Sequence, residues 1–522
     1  MTETTNREPR AVNLPDRLAA WISDRANPML VRCVRQELRS KTFLGLFVLL
    51  LVVCAIAAIA SAGASTDNAN SRMGSTLFSV LAWAWSLVVV IQALSTFQSV
   101  TRERNEDTWD LLDLTGMGPR PVLRGLLLAN LVQSQLYTAA LAPFLVMAYL
   151  LRGIDLLTIA FALVVVPLLG VAASTLAVFL AAIGNSKPAR SFFGGMLGLG
   201  LTGIWMASSA MWFNLQWLDW FLNAMLTNSQ EAWLAMGLSV NLWFAFVVLM
   251  LVLSGALMTH RAGDRSSGPR LVWFAIWLNA LAWFLAIAWI EQRARPSVQL
   301  VGYALGAFAI TGVLWAGLLG LFSISEDVPL SQRQARTITQ APRWRRWATL
   351  VHGPGAARGR LAFIVLAFAS LTSGVIGIAL SDGNDYVTRC STAAWVLVCY
   401  FSALFALGDA LYRGPARHWL DTTALRRGFL LVLFAAWSLG PILVALVVDS
   451  RGLDHSNIAM FSPIMGVIEV LSGTTHERDV PLVVVSAIGL AGLGVLLTQG
   501  LRLRITTQRI AAREDDRNPR GG

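Results

Sequence analysis

Twelve long apolar stretches constrain the fold of this chain more than any other feature. A helix of about 20 apolar residues crosses the hydrocarbon core of a bilayer. The stretches are continuously apolar, which excludes a spanning β-barrel with its alternating pattern. Only 14% of the 522 residues are charged, against about 25% in soluble proteins. We therefore expect an all-α polytopic membrane protein with about 12 transmembrane helices. The stretches are 43–62, 76–99, 126–150, 156–183, 192–212, 233–258, 271–290, 298–323, 361–380, 389–409, 429–448 and 481–500.

The distribution of basic residues predicts the orientation of the spans. If the N-terminus is cytoplasmic, the inner segments carry 34 of the 41 Lys and Arg residues. This positive-inside bias predicts a multi-pass protein of the bacterial cytoplasmic (inner) membrane with both termini in the cytoplasm. The net charge of +11 is therefore interpreted as a topology signal toward the lipid bilayer, and no nucleic-acid partner is expected.

The order of spans and loops predicts two six-span halves. A long cytoplasmic segment follows the second span of each half, and a long outer loop follows the fifth, which suggests a parallel internal repeat. The outer loops, 213–232 and 449–480, hold apolar helical material that is too short to span, forming either re-entrant or interfacial helices or ordinary loops. The expected parts are the N-terminus 1–42, the first half 43–258 with segment 100–125, the second half 259–500 with segment 324–360, and the tail 501–522.

A short amphipathic helix is predicted just before the first span. Asn27 and Pro28 supply an N-cap and a first-turn proline. Apolar residues then recur every fourth position, while Arg32 and Arg35 fall on the other side. This pattern favours an elbow helix lying in the headgroup plane, and the alternative is a simple basic anchor flanking the span.

The sequence offers no recognisable catalytic or metal site. No Asp, Glu, Lys, Arg or His lies in the central part of any span, although proton-coupled transporters and intramembrane proteases need ionisable groups there. The only lysines, Lys41 and Lys187, do not follow glycine, so no phosphate-binding loop of the GxxxxGK[S/T] type is present. The five histidines and four cysteines form no compact ligand set or redox pair. We expect no enzyme activity, cofactor or metal in this chain.

Weakly polar and small residues mark two of the spans. Asn130, Gln133 and Gln135 in the third span could line a transport pathway or form hydrogen bonds between helices. Gly194 and Gly198 in the fifth span have the GxxxG spacing. That spacing fits an interface between halves or subunits equally as well as packing inside one bundle.

The segment between the second and third spans is unusually acidic. Glu103, Glu106, Asp107, Asp110 and Asp113 recur at spacings of three and four, which places them on one face of a helix. The alternative is a solvated acidic surface. The density of acids, against the basic excess of the other inner segments, favours a partner-binding role.

At these residues the chain resembles the transmembrane subunit of type-2 ABC exporters. That family shows a stretch like E-R-E-x-G-T-L-E-L-L between its second and third spans. Here Glu106, Thr108 and the pair Leu111–Leu112 match, Asp110 keeps the charge of the family glutamate, and Asp107 replaces the glycine. The N-terminus is similar to the family's N-P-x-x-x-R-E-x-R elbow, with cysteine in place of the acid. The motif resemblance covers residues 27–150, and beyond them it is topological.

The resemblance implies an exporter permease driven by a separate motor. A cytosolic ABC ATPase subunit would bind ATP and Mg, and it would dock on Glu103, Glu106, Asp107, Thr108, Asp110 and Asp113. A homodimer, or a pseudo-dimer of the two halves, would form the pathway. The residues leave three alternatives: an ion-coupled secondary transporter, a structural scaffold, or a membrane-integral enzyme acting on lipid-linked sugars. The enzyme would need acids on an outer loop, where Asp382, Asp385, Glu469 and Asp479 are available.

Overall fold

In the part of the chain that the computed structural model describes, all regular secondary structure is helical. That part comprises residues 28–67, 73–105, 119–184, 186–227, 229–259, 264–294, 299–326, 351–414, 418–420, 423–448, 461–472 and 479–512, with single positions between 338 and 349 and at 458. The fifteen helices within it are α1 Pro28–Leu38, α2 Lys41–Asp67, α3 Met73–Asn105, α4 Pro119–Leu150, α5 Leu156–Ile183, α6 Lys187–Phe213, α7 Gln216–Leu226, α8 Gln230–Met258, α9 Ser267–Ala294, α10 Leu300–Ile324, α11 Ala356–Leu380, α12 Asp385–Arg413, α13 Thr423–Val448, α14 Pro463–Ser472 and α15 Asp479–Ala512.

Twelve of the described helices are long and apolar enough to cross a membrane, which confirms the predicted all-α polytopic fold. They correspond to the twelve apolar stretches, but several extend beyond them. The 33 residues of α3 span about 50 Å at 1.5 Å per residue. This length exceeds the hydrocarbon core of about 30 Å, so α3 carries its last turns, with Arg102 and Arg104, past the apolar stretch.

The chain divides into two compact units, residues 1–259 and 260–522. Six of the candidate spans belong to each unit. The same order of elements recurs: in each unit a short helix, α7 or α14, stands between the fifth span and the sixth. The apolar material of both predicted outer loops is therefore helical. In α7, the side chains of Leu218 and Leu222 are buried and that of Trp220 is exposed.

In unit 1, α3 is the central helix and packs against α2, α4, α5 and α6. One apolar cluster packs around α3 and contains the fully buried side chains of Trp85 from α3 and Tyr137 from α4. Phe97 of α3 belongs to a second cluster nearer the C-terminal end of that helix. A Cβ on Gly194 of α6 would lie 2.8 Å from the Phe97 ring, whereas one on Gly195 would meet nothing within 4 Å. Gly194 therefore serves packing inside the unit.

In unit 2, α10 is the central helix and packs most extensively on α11. Glycines allow this close approach: a Cβ on Gly377 would lie 2.8 Å from the main-chain oxygen of Gly302. On its other side, α10 is joined to α9 by Trp273 and Trp315. Their rings stack at 4.2 Å, and each indole Nε1 donates a hydrogen bond of 3.0 Å to the main-chain oxygen of the other tryptophan.

Candidate functional site

A polar cavity of about 360 Å³ lies between α1, α3 and α4 in unit 1. The packing of α1 against α4 encloses one side of it. All but three of the lining residues are polar, the exceptions being Cys33, Leu126 and Ala129. Such a lining is unusual inside an apolar bundle, because unpaired polar groups are costly to remove from water. The polar residues are Arg32, Gln36, Ser40, Thr42, Ser95, Thr96, Gln98, Ser99, Arg102, Glu103, Asn130 and Gln133.

A hydrogen-bonded network centred on Asn130 forms the floor of the cavity. The Asn130 Nδ2 donates to Thr96 Oγ1 at 2.8 Å and to Ser174 Oγ of α5. Gln92 Nε2 donates to the main-chain oxygen of Asn130 at 2.6 Å and lies 3.5 Å from Gln133 Oε1. All five residues are buried. The Oδ1 atom of Asn130 is also buried but has no hydrogen-bond partner within the described residues.

Charged side chains from two helices line the mouth of the cavity. Arg32 comes from α1, and Arg102 and Glu103 come from the last turns of α3. A second, shallower cleft beside the cavity is lined by Arg32, Arg35 and Arg39 together with Val31 and Gln36. Among the described residues, the arginines therefore outnumber the carboxylate at this mouth, which favours an anionic group there.

The end of α3 is fastened to α5 by Arg104. Its Nη1 donates to the main-chain oxygens of Ala181 and Ala182, both at 2.9 Å, and of Gly184 at 3.3 Å. Arg190 Nε adds a bond of 2.9 Å to the Gly184 oxygen. The last main-chain oxygens of a helix have no donor within the helix, and cations stabilise such an end. The end of α3, after which segment 106–118 begins, is therefore held against the end of α5.

The structure places only part of the predicted coupling and elbow residues. Glu103 is half-buried in the cavity wall. Glu106, Asp107, Thr108, Asp110 and Asp113 lie outside the described residues, as does Asn27. α1 begins at Pro28, as predicted, and Arg32 and Arg35 are exposed on it. Ser40 Oγ accepts a 3.0 Å bond from the Phe43 main-chain N–H, and this side-chain cap starts the first span.

The predicted pathway residues separate into two groups. Asn130 and Gln133 are buried together in the cavity, whereas Gln135 lies exposed on another side of α4. Two helical positions rotate a side chain by about 200°, so Gln135 could not share the face of Gln133. Gln92, Thr96 and Ser174 were missed by the sequence analysis. For Gln92 and Thr96, the signal was their spacing of four in the more polar C-terminal part of the second span.

Unit 2 has a buried arginine cluster at the end where α9 begins and α10 ends. Arg270 Nη2 forms an ion pair of 2.7 Å with Glu326 and donates to the main-chain oxygen of Gly355 at 3.1 Å. Its Nη1 donates to the main-chain oxygen of Gly353. Arg358, also fully buried, donates to the main-chain oxygen of Pro354 at 3.3 Å. The two arginines therefore hold the loop before α11 against the helix ends.

Two further polar contacts in unit 2 are structural in form. Arg360 of α11 pairs with Asp409 of α12, and both are buried. Arg427 Nε donates to Ser325 Oγ at 3.1 Å, at the end of α10. Such pairs fix helix ends relative to one another, because separating a buried pair leaves an uncompensated charge.

Two of the outer-loop acids of the enzyme alternative, Asp382 and Asp385, have partners of their own. Asp382 accepts a 2.6 Å bond from Gln299 Nε2, and Asp385 pairs with Arg389 one turn later. Glu469 is buried on α14. No group of three or more His, Cys, Asp or Glu side chains that could hold a metal ion occurs among the described residues.

The chain was compared with protein-family models, curated proteins and solved structures, and none of the three comparisons finds a match.

Proposed function

We propose that the chain is the membrane-spanning permease of an ATP-driven ABC exporter, with the ATPase on a separate cytosolic subunit. The observation that carries this proposal is the position of the acidic segment. Residues 106–118 connect α3 to α4, and these two helices pack together and form two walls of the polar cavity. A force applied to the segment would therefore act on the helices that enclose the cavity.

The contacts at the end of α3 support a mechanical role. Arg104 ties α3 to the end of α5 through three main-chain oxygens, so motion of the segment would reach α5 as well. Force transmission needs a contiguous set of packed elements between the two sites. α3, α4 and α5 are such a set, because each packs against the other two.

The rest of the proposal concerns assembly and orientation. The two six-span units would serve as the two halves of one pathway, as a pseudo-dimer, or one chain would pair with a second copy. Both termini, the acidic segment and the mouth of the cavity would face the cytoplasm of a bacterium, as the positive-inside rule predicts. The partner would present cations or hydrogen-bond donors to the acidic face.

Charge reversal in the acidic segment tests the coupling role. We expect Glu106→Lys with Asp110→Lys to abolish co-purification with the proposed cytosolic ATPase subunit, and to abolish stimulation of its ATP hydrolysis, because like charges would then meet at the interface. Membrane insertion should be unchanged. The control is Asp219→Lys with Glu231→Lys, two exposed acids at the opposite end of unit 1, which should leave the complex intact.

Two results would contradict the proposal. One is normal binding and stimulation of the ATPase by the Glu106→Lys, Asp110→Lys variant. The other is transport by the purified chain alone in vesicles that carry an ion gradient and no ATPase, which would favour a secondary transporter.

A further inference from the structure

The cavity of unit 1 has two chemically distinct ends. At the floor, the buried Oδ1 of Asn130 has no donor among the described residues, although both hydrogens of its amide are used. A buried acceptor without a donor costs about 1–3 kcal/mol. At the mouth, the described charged residues are two arginines, Arg32 and Arg102, and one carboxylate, Glu103. The floor is therefore suited to a hydrogen-bond donor and the mouth to an anion.

The donor at the floor should be neutral. Among the described residues, Glu103 is the only carboxylate that lines the cavity, and it lies at the mouth. An ammonium group at the floor would therefore be a buried charge without a counter-ion, which is costly. A hydroxyl group has no such cost and can donate to Asn130 Oδ1. Thr96 and Arg102 are six residues apart on α3, or about 9 Å along its axis, a separation that an arginine side chain and a short polyol phosphate can span together.

We propose that this cavity binds a phosphoglycerol group, with the phosphate at Arg32 and Arg102 and a glycerol hydroxyl donating to Asn130. The volume of about 360 Å³ falls within the range of small-molecule sites. Two sources carry this chemistry: the headgroup of an anionic phospholipid such as phosphatidylglycerol, and soluble glycerol phosphate. The site does not depend on the exporter function, because no ATPase takes part in it.

A native thiol reports occupancy of the site. Cys33 lines the cavity and is only half-buried, whereas Cys54, Cys390 and Cys399 are buried. The experiment measures the rate of Cys33 alkylation by N-ethylmaleimide, followed by mass spectrometry of the full chain in lipid nanodiscs. Protection by a ligand scales as one plus the ratio of its concentration to its Kd. At four times the Kd we therefore expect labelling to be about fivefold slower in discs containing phosphatidylglycerol than in phosphatidylcholine discs.

Control experiments distinguish binding at the site from general effects of an anionic membrane surface on thiol reactivity. A Cys33→Ser, Leu38→Cys chain moves the thiol to an exposed position of α1 outside the cavity, and it reports any change in thiol reactivity caused by the surface charge alone. Phosphatidic acid, which lacks the second glycerol, should protect Cys33 less than phosphatidylglycerol does. Soluble glycerol 3-phosphate, added to phosphatidylcholine discs, tells whether the ligand is a lipid or a soluble molecule. Protection of Cys33 under these conditions supports the site and assigns it to a soluble ligand.

Arginine variants test the mouth. Arg32→Gln, alone or with Arg102→Gln, should remove the protection, whereas Arg35→Gln with Arg39→Gln should retain it, because those two arginines line only the neighbouring cleft. The single Arg32→Gln change concerns an exposed side chain and keeps the test valid if the double variant fails to fold. Absence of Cys33 protection both in phosphatidylglycerol discs and by soluble glycerol 3-phosphate would overturn the proposal. Protection of Leu38→Cys to the same extent, equal protection by phosphatidic acid and phosphatidylglycerol, or full protection in Arg32→Gln would each overturn it as well.

Discussion

At the scale of single residues, arginine side chains bond to the main chain at helix ends in both units. Arg104 binds the last carbonyls of α5, and Arg270 binds two oxygens of the loop before α11. Guanidinium carries five donors in a fixed fork, so one side chain can satisfy several orphan carbonyls at once. Lysine could not replace it, and the chain contains only two lysines among its 41 basic residues.

Replacing Arg104 should destabilise unit 1. Arg104→Gln removes a charged donor from three main-chain oxygens, and hydrogen bonds to charged groups contribute about 1.5–3 kcal/mol. We expect a lower midpoint of thermal unfolding in detergent. Arg124→Gln is the control, because Arg124 is an exposed residue of α4, and it should leave the midpoint unchanged. Equal midpoints for the two variants would show that the Arg104 contacts contribute nothing.

A histidine beside the arginine cluster should make unit 2 sensitive to acid. Burial, and then the charge of Arg270, lower the pKa of His352 from its ordinary value of 6.5. Its Nδ1 is buried without a partner in the described structure. Because the folded pKa is depressed, the unfolded chain binds the proton more strongly. The contribution of His352 to stability is therefore complete above about pH 6.5 and decreases as the pH falls through that value.

Thermal unfolding measured between pH 8 and pH 5 tests this expectation. His352→Gln should reduce the loss of stability on acidification. His418→Gln, at an exposed position, should keep the wild-type loss, because His352 is still present in that variant. A His352→Gln chain that loses stability with acid as steeply as the wild type would refute the prediction.

Only some of the cavity residues could be predicted from the sequence. Asn130 and Gln133 could be identified because polar amides are rare in apolar spans. Their meeting with Gln92 and Ser174 could not, because it depends on how three helices are rotated about their axes. Gln135 was included with them because it is close in sequence, although the helix turns it to another side.

At the scale of the elements, close helix contacts depend on where glycine lacks a side chain. Gly302 and Gly377 bring the backbones of α10 and α11 together, while Gly494 of α15 faces open space. We expect Gly377→Ala to destabilise unit 2 by about 1–3 kcal/mol, because the new Cβ would overlap main-chain atoms that cannot move aside.

The control for this contact is Gly494→Ala. It should be neutral or slightly stabilising, since alanine favours a helix by about 1 kcal/mol over glycine. Thermal unfolding of the two variants in the same detergent gives the comparison. Similar midpoints of thermal unfolding for the two variants would mean that α10 and α11 move apart to accommodate the new Cβ at little cost in stability.

The existence of the helices was predictable, and their packing was not. Twelve apolar runs of the right length can form only spanning helices, since the bilayer leaves no other way to pair the backbone. The runs are apolar on every side, so they contain no stripe that marks the buried face. The positions of α3 and α10 at the centres of their units therefore follow from small residues and shape, which a hydropathy pattern does not record.

At the scale of the whole molecule, the orientation in the membrane is a prediction from charge alone. In a chain whose four native cysteines are changed to serine, Thr108→Cys places a single thiol in a segment predicted to be inner, and Asp382→Cys places one in a segment predicted to be outer. In intact cells, an impermeant maleimide should label residue 382 and should reach residue 108 only after the membrane is permeabilised. The reverse pattern would place the acidic segment outside and would end its proposed role as a docking site for a cytosolic ATPase.

The paired indoles of α9 and α10 limit how unit 2 can move. Trp273 and Trp315 exchange two hydrogen bonds across the helix pair, so a slide of one helix along the other would break both at once and separate the stacked rings. The two helices should therefore tilt together as one rigid body. Any bending would occur in other helices of unit 2. The distance between the two stacked rings should therefore stay constant while the two helices tilt together.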